Sequence, residues 1–248
     1  MTEALGAHIR TMLSHPPSIL DSIADEGWRN ALEAELPAGY AERIALELAV
    51  RTRAGGRIAP ALSIAFRALD LVAIDQMHVV IVGQDPYLTA GDAEGLAFSA
   101  SGNGGLPSSL ARIFAELRRG LGCAKPSNSD LTLWVQREVL LLNNALTTKE
   151  GTAWGLASID WETFTRTVLR VNARRSRPSA IRLWGRKAQA LAGEFTSTAR
   201  LVITSDHPRG MRRRGDDRGI PFRGLQPFSR ANAFLLTDGR AVDWSLRY

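Results

Sequence analysis

The fold class of this chain is decided by the segment His78-Val79-Val80-Ile81-Val82, which runs directly into Gly83-Gln84-Asp85-Pro86. An uninterrupted apolar run of this length, ended by small and polar residues, is typical of a strand buried on both faces of a parallel sheet. Three more runs have the same form: Val139–Leu142 before Asn143-Asn144, Ala180–Trp184 before Gly185-Arg186, and Leu201–Thr204 before Ser205-Asp206-His207-Pro208. The sequence therefore predicts four buried strands.

Helical patterns precede and separate these strands. Apolar residues stand at helical spacing from Trp28 to Ala49, and further helices are predicted at Ile64–Leu71, Ser108–Leu121, Asp130–Arg137, Trp161–Arg174 and Arg186–Phe195. Alternation of this kind predicts an α/β fold: a central four-stranded parallel twisted sheet flanked by helices, with right-handed crossovers. The chain has 248 residues with no linker or composition shift, which favours a single domain. We expect that domain to span residues 21–248, after a poorly ordered leader of residues 1–20.

Polar side chains stand where these strands end. Gln84 and Asp85 follow the first run, Asn143 follows the second and His207 follows the fourth. Ligands of doubly wound sheets bind just beyond the carboxyl ends of the strands. The pattern alone therefore brings three distant segments to one crevice.

The groups in that crevice suit the binding of a flat heterocycle. A carboxamide presents a donor and an acceptor side by side, aromatic rings such as Tyr87 and Phe98 could sandwich a base, and a carboxylate can orient water. Each residue also has a purely structural explanation. Asp85-Pro86 could be only a turn, Asn143 could cap the next helix, and His207 could be a satisfied structural histidine.

Composition excludes several classes of protein. No apolar stretch is long enough to span a membrane, and the first residues lack the pattern of a secretory signal. One cysteine and four scattered histidines leave no zinc or iron–sulfur spacing and no intramolecular disulfide. We therefore expect a cytoplasmic protein without membrane contact, metal or cofactor. We also expect a monomer, since no extra apolar stripe is evident.

The chain is basic and its cations are mostly arginine. The net charge is +6 and the pI about 10.2, and 28 of the 31 cations are arginines. A GC-rich genome would explain part of that ratio, but not the clustering. The segment His207–Gly224 holds six arginines against two aspartates, and guanidinium groups suit phosphate oxygens.

An ordered series of motifs resembles the family 1 uracil-DNA glycosylases. Gly83-Gln84-Asp85-Pro86-Tyr87 and Gly95-Leu96-Ala97-Phe98-Ser99 resemble that family's GQDPYH and GLCFS motifs at the same spacing. The other matching segments are Pro107-Ser108-Ser109-Leu110, Asp130-Leu131 with Trp134, Val139–Asn143, Leu183-Trp184-Gly185 with Ala188-Gln189, His207-Pro208, Phe228–Asn232 and Asp243-Trp244. The similarity begins near Trp28 and covers almost all of the remaining chain.

The resemblance implies an enzyme that flips uracil out of DNA and hydrolyses its N-glycosidic bond, leaving an abasic site for base excision repair, without metal or cofactor. It assigns the water-positioning role to Asp85 and a hydrogen bond to uracil O2 to His207. Gln84 would assist with main-chain N–H groups, and Phe98 would stack on the base. Asn143 would bind uracil N3–H and O4, and the ring of Tyr87 would exclude the methyl group of thymine. The DNA-backbone contacts would come from Pro107, Ser108 and Ser109.

The chain departs from the family pattern in two regions. Leu88 replaces a histidine, and Asp92 and Glu94 replace a glutamine and a histidine, which we expect to remove polar contacts near the water and to add negative charge. The family's HPSPLS motif, which carries a phosphate-binding serine and a base-replacing leucine, is altered and about five residues longer. We expect Arg209 or its neighbours to take over the phosphate contact and Met211, or an arginine, to fill the gap. The candidate DNA-binding residues of this segment are Arg209, Met211, Arg212, Arg213 and Arg214.

Three functions remain in competition. The first is a uracil-DNA glycosylase acting on single- or double-stranded DNA, and the second is a glycosylase with a shifted range of pyrimidine lesions. The third is a DNA-binding sensor of uracil or abasic sites with weak catalysis. The family is typically blocked by an acidic phage protein that mimics DNA and encloses the wedge leucine. We expect poor inhibition here, because that leucine is absent.

Overall fold

The computed structural model of the chain describes residues 17–152, 159–174, 179–195, 200–210 and 219–246. Its centre is a four-stranded parallel sheet made of β2 (Val79–Gly83), β3 (Val139–Asn143), β5 (Ser179–Trp184) and β6 (Arg200–Ser205). The strand order is β3-β2-β5-β6. Every residue of β2, β3 and β5 is buried, as expected for strands covered by helices on both faces. The predicted fold class and all four strands are confirmed.

A two-stranded antiparallel sheet was not predicted. It pairs β1 (Ile58–Ala59) with β4 (Thr148–Lys149). Strands of two residues carry too little alternation to be recognised in a sequence.

The helices that flank the sheet agree with the predicted positions in part. They are α1 (Glu26–Glu35), α2 (Tyr40–Arg53), α3 (Arg67–Leu71), α4 (Ser108–Leu121), α5 (Thr132–Gln136), α6 (Trp161–Ala173), α7 (Arg186–Gln189) and α8 (Pro227–Leu235). Short 3₁₀ helices occupy Ile19–Ser22, Leu62–Ile64, Ala192–Glu194 and Leu236–Asp238. The predicted helices Ile64–Leu71 and Arg186–Phe195 are therefore each interrupted, whereas Ser108–Leu121 is confirmed at both ends.

The packed chain begins earlier than the predicted boundary at residue 21. Ile19 is buried in the core, and the Ser18 side chain caps the first 3₁₀ helix by accepting a hydrogen bond from Leu20 N. The rest of the predicted leader, residues 1–16, lies outside the described residues.

Helix α4 is fixed at both ends and along its length. It follows Pro107 and stops at Gly122, whose φ of +68° places it in the left-handed conformation that favours glycine. The carboxylate of Glu116 is almost fully buried and accepts hydrogen bonds from the backbone N–H groups of Gly224 and Gln226. These bonds join the helix to the chain that leads into α8.

A buried arginine links the sheet to the C-terminal segment. Arg182, in the middle of β5, donates from Nε and Nη2 to Pro227 O at 3.3 and 3.1 Å. Its guanidinium lies 4.5 Å from the centre of the Trp244 ring and 5.1 Å from that of Phe228, a favourable cation–π arrangement. Complete burial lowers the pKa of Arg182 to about 9.

None of the helices in the described ranges has the length and apolarity needed to cross a bilayer.

Candidate active site

Two adjacent strands end together and bring Gly83 against Asn143. The two residues are register partners across the ladder of β2 and β3. A Cβ atom on Gly83 would lie 2.5 Å from Asn143 Oδ1 and 3.2 Å from Phe98 Cε2. Glycine at this position is therefore what allows the amide and the ring to approach the strand end. Asn143 is only 8% exposed, so a nearly buried donor and acceptor stand at the sheet edge.

Phe98 is held in a backbone conformation that bulky residues rarely adopt. Its φ is +66°, in the left-handed region. Two hydrogen bonds fix this segment: Tyr87 Oη donates to Phe98 O at 2.9 Å, and Ala97 N donates to Leu141 O at 3.0 Å. Strained backbone of this kind persists only where its surroundings determine it, and it concentrates at functional sites.

The ring of Phe98 lies among other rings at the carboxyl edge of the sheet. Its centre is 5.3 Å from that of Trp184 and 5.7 Å from that of His207. Burial, and then the negative charge of Asp92, raise the pKa of Tyr87 above its ordinary value, which keeps the phenol protonated as the donor to Phe98. The structure thus brings Tyr87, Phe98, Asn143 and His207 together, as the sequence predicted.

Asp85 lies two residues after the end of β2 and is half-buried. The preceding residue is anchored, since Ala145 N donates to Gln84 O at 3.0 Å. Burial raises the pKa of the Asp85 carboxyl, whereas a hydrogen bond with the Gln84 side chain and the positive charge of Arg209 lower it. The carboxylate thus stands in a partly desolvated position with a cation nearby to compensate.

His207 is oriented by the tight turn that it begins, residues His207–Gly210, called here the His207 turn. Gly210 N donates to His207 O at 2.8 Å, and Arg209 N donates to His207 Nδ1 at 3.1 Å. Because Nδ1 accepts, the proton of the neutral ring is assigned to Nε2. Burial, and then the charge of Arg209, lower the pKa of His207 to about 4. At neutral pH the side chain is therefore an uncharged imidazole whose Nε2–H is a donor.

The end of β5 packs against this histidine. Gly185 has φ +96°, and a Cβ on it would lie 3.2 Å from His207 Cβ. Gly185 N donates to Ser205 O at 2.8 Å, and Gln189 Nε2 donates to the same oxygen at 2.7 Å. The residues of the predicted Leu-Trp-Gly and Ala-Gln motifs therefore support the base of the His207 turn.

The predicted backbone-binding residues Pro107, Ser108 and Ser109 open helix α4. Pro107 O accepts the hydrogen bond of Ala111 N at 2.9 Å and so begins the helical ladder. Ser108 is exposed, whereas Ser109 is buried. Only the first of the two hydroxyl-bearing side chains thus faces solvent at the helix N-terminus, where free N–H groups favour anions.

Comparison with known proteins identifies the family. The family model described as the Uracil DNA glycosylase superfamily matches residues 69–236. The chain is 42% identical to the uracil-DNA glycosylase of Mycobacterium sp. (strain KMS) over 231 residues, which are 92% of this chain and 97% of that protein. The chain belongs to the uracil DNA glycosylase superfamily.

Other relatives and the fold agree. The uracil-DNA glycosylase of Bacillus subtilis (strain 168) is 35% identical over 92% of this chain and 99% of its own length. The crystal structure of mimivirus uracil-DNA glycosylase has a TM-score of 0.84, covers 95% of this chain and 93% of that one, and is 22% identical in sequence. This chain and the mimivirus protein therefore share one fold.

The arginine-rich segment His207–Gly224 follows β6, and the structure describes its residues 207–210 and 219–224. Arg209 is exposed in the His207 turn. The two sides of the loop meet where Asp206 N donates to Ile220 O at 2.7 Å. The other candidate residues of this segment, Met211, Arg212, Arg213 and Arg214, lie outside the described residues.

Arg112 was missed by the sequence analysis. It lies one turn into α4, and its Nη1 donates to Pro208 O at 3.1 Å. An arginine on the exposed side of an amphipathic helix carries no sequence signal, because the contact spans 96 residues.

Asp92 and Glu94 both accept hydrogen bonds within the loop that carries Phe98. Asp92 is buried, and its Oδ1 accepts hydrogen bonds from Ser101 Oγ and Gly104 N at 3.2 and 3.1 Å. Glu94 Oε2 accepts a hydrogen bond from Ser99 Oγ at 3.0 Å. Both carboxylates therefore organise the loop that carries Phe98.

Among the residues that the structure describes, no cluster of three or more His, Cys, Asp or Glu side chains could hold a metal ion.

Proposed function

We propose that this chain is a uracil-DNA glycosylase that hydrolyses the N-glycosidic bond of uracil in DNA and leaves an abasic site for base excision repair. Membership of the superfamily supports the reaction. The observation that carries the proposal is the meeting of Asn143, Phe98, Asp85 and His207 at one edge of the sheet, with the imidazole neutral and protonated on Nε2.

Base recognition is assigned to Asn143, Phe98 and Tyr87. The carboxamide of Asn143 would accept from uracil N3–H and donate to O4, while the Phe98 ring stacks on the flipped base. Cytosine reverses that donor and acceptor pattern and would leave a nearly buried amide mispaired, which such sites discriminate against by about 10⁴-fold or more. The ring of Tyr87 would occupy the space that the methyl group of thymine needs.

Hydrolysis is assigned to Asp85 and His207. The oxygen of a water positioned by Asp85 forms a bond to C1′ as the bond from C1′ to N1 breaks, and the electron pair of that bond leaves with uracil. The positive charge that develops on the sugar is offset by the Asp85 carboxylate. His207 Nε2–H donates to uracil O2 as negative charge develops there, with main-chain N–H groups at Gln84 assisting. The water's second proton passes to Asp85 or to bulk water.

Contact with the DNA backbone is assigned to the segment Pro107–Ser109, in which Ser108 is the exposed hydroxyl, and to the arginine-rich segment. Arg209 or its neighbours Arg212–Arg214 would take the phosphate contact there, and Met211 or an arginine would fill the gap left by the flipped base. The basic charge of the chain would steer single- or double-stranded DNA to the site. We further propose that the protein acts as a cytoplasmic monomer that needs no metal or cofactor.

The test is excision from an oligonucleotide carrying one deoxyuridine, with thymine, cytosine and abasic oligonucleotides as controls, by the wild-type protein and Asp85→Asn. We expect cleavage at uracil alone and a steep loss in the variant. Excision of other modified pyrimidines in preference to uracil would favour the shifted-range alternative. Binding to uracil or abasic DNA without excision would favour a lesion sensor.

A further inference from the structure

The underside of the His207 turn rests on a guanidinium group supplied by helix α4. Arg112 Nη1 donates to Pro208 O at 3.1 Å. A Cβ on Gly210 would lie 2.5 Å from the same Nη1 atom, so the turn packs against Arg112 at both its second and its fourth residue. Gly210 has φ +67°, a further reason why glycine stands at this position.

This turn also fixes the catalytic imidazole. Its closing hydrogen bond joins Gly210 N to His207 O at 2.8 Å, and its third residue donates from Arg209 N to His207 Nδ1 at 3.1 Å. Movement of the Pro208 peptide or of Gly210 would change both bonds. Arg112 therefore contacts the two residues of the turn whose positions decide where the imidazole points.

Helix α4 connects this support to the proposed DNA contact. Arg112 lies one helical turn after Ser108, the exposed residue at the helix N-terminus. The helix itself is anchored further along by the buried carboxylate of Glu116. One rigid helix thus carries both the proposed backbone-binding serine and the support of the His207 turn.

We propose that Arg112 is a positioning residue for His207, which holds the His207 turn through Pro208 and Gly210 and so ties the imidazole to the helix that contacts the DNA backbone. Its effect on the reaction rests on the proposed glycosylase function. Arg112 acts through the turn rather than by touching the base. Its loss should therefore slow excision from bound DNA more than it weakens DNA binding.

The test compares Arg112→Met with Arg118→Met, a matched control on an exposed position of the same helix. Single-turnover excision at saturating enzyme should fall about 10- to 100-fold in Arg112→Met, the usual effect of a slightly misplaced catalytic group. The Kd for DNA with a non-cleavable uracil analogue should change by less than about 3-fold. Loss of a direct contact worth about 1.4 kcal/mol would instead weaken binding about 10-fold. Arg112→Lys, which keeps a donor and the charge, should recover part of the rate.

A double-mutant cycle with His207→Ala separates positioning from an independent contact. If Arg112 acts through the histidine, Arg112→Met should cost little once the imidazole is gone, because coupled residues are not additive. An equal loss of rate in both backgrounds would overturn the proposal, because Arg112 would then act independently of His207. A weaker Kd with an unchanged rate would also overturn it and make Arg112 a phosphate contact alone.

A measurement without DNA keeps this result distinct from the failure of the proposed function. In the free protein, the ¹⁵N chemical shift of His207 Nδ1 reports the hydrogen bond from Arg209 N. We expect it to move in Arg112→Met and in Gly210→Ala, and to stay at the wild-type value in Arg118→Met. An unmoved resonance in both test variants contradicts the proposal, whether or not the wild-type protein excises uracil.

Discussion

Removing one hydroxyl group from Tyr87 separates two roles of that side chain. Tyr87 Oη donates to Phe98 O at 2.9 Å, and Phe98 is held at φ +66°. Tyr87→Phe keeps the ring but loses a hydrogen bond with a net value of about 1 kcal/mol. The left-handed conformation costs Phe98 roughly 1–2 kcal/mol. In the variant, only the other contacts of the loop, such as the hydrogen bond from Ala97 N to Leu141 O, would hold Phe98 in that conformation. We expect unfolding to become easier by about 1–2 kcal/mol, with Tm lower by about 2–8 °C for a chain of this size.

The consequence for catalysis follows from the position of Phe98 in the site. Its ring should explore more orientations in Tyr87→Phe, and excision of uracil should slow by about 10-fold, the equivalent of 1.4 kcal/mol. Thymine should remain excluded, because the variant keeps the ring that is proposed to lie beside C5 of the base. Tyr87→Ala removes that ring too and should admit thymine. Calorimetry and single-turnover excision from matched uracil and thymine oligonucleotides measure both effects. A wild-type Tm and rate in Tyr87→Phe would refute the idea that the hydroxyl holds Phe98.

Three further expectations concern the site and its surroundings. Gly83→Ala would place a Cβ 2.5 Å from Asn143 Oδ1 and should reduce uracil excision at least about 10-fold, whereas Gly193→Ala, where a Cβ meets nothing within 4 Å, should leave the rate unchanged. NMR should show the His207 ring titrating near pH 4. The pKa of histidine in the unfolded chain is about 6.5, so the neutral ring stabilises the fold fully above pH 6.5. That contribution, up to about 3 kcal/mol, is lost as the pH falls from 6.5 towards 4. The raised pKa of Asp85 acts in the opposite sense, and a His207 pKa near 6.5 would contradict the assigned environment. The acidic phage protein that mimics DNA should inhibit weakly, and stoichiometric inhibition in an excision assay would contradict the expected effect of the altered loop.

The four strands could be predicted because each is an uninterrupted apolar run that stops at small or polar residues. The interrupted helices could not, since their breaks depend on long-range contacts. A Cβ on Gly95 would lie 1.9 Å from Ile64 O, so the chain at Ile64 is shaped by a loop that lies far away in sequence. Likewise, the predicted helix from Arg186 ends at Gln189, where the Gln189 side chain reaches Ser205 O in the neighbouring strand.

The candidate site divides in the same way. Asp85, Asn143 and His207 could be placed together because they end parallel strands, and strand ends share an edge. The left-handed backbone of Phe98 and the support of the His207 turn by Arg112 could not be inferred. Both depend on single hydrogen bonds between segments that are separate in sequence, and neither leaves a periodic trace.

The residues proposed to select the base and those proposed to contact DNA lie on parts of the molecule with different structural constraints. Asn143 stands at a strand end, Phe98 is held by hydrogen bonds of the neighbouring loop, and both side chains closely approach Gly83. Among the described residues, the arginine-rich segment meets the sheet at the His207 turn, at the pairing of Asp206 with Ile220, and where the buried ring of Phe222 lies 5.0 Å from that of Trp184 in β5. We therefore expect changes at its exposed positions, such as the Arg209 side chain, to alter phosphate contacts and with them the salt dependence of binding. Changes at Phe222 would instead reach Phe98 through Trp184. This difference between exposed and buried positions accounts for a last loop that departs from the expected motif beside proposed base-binding residues that match it.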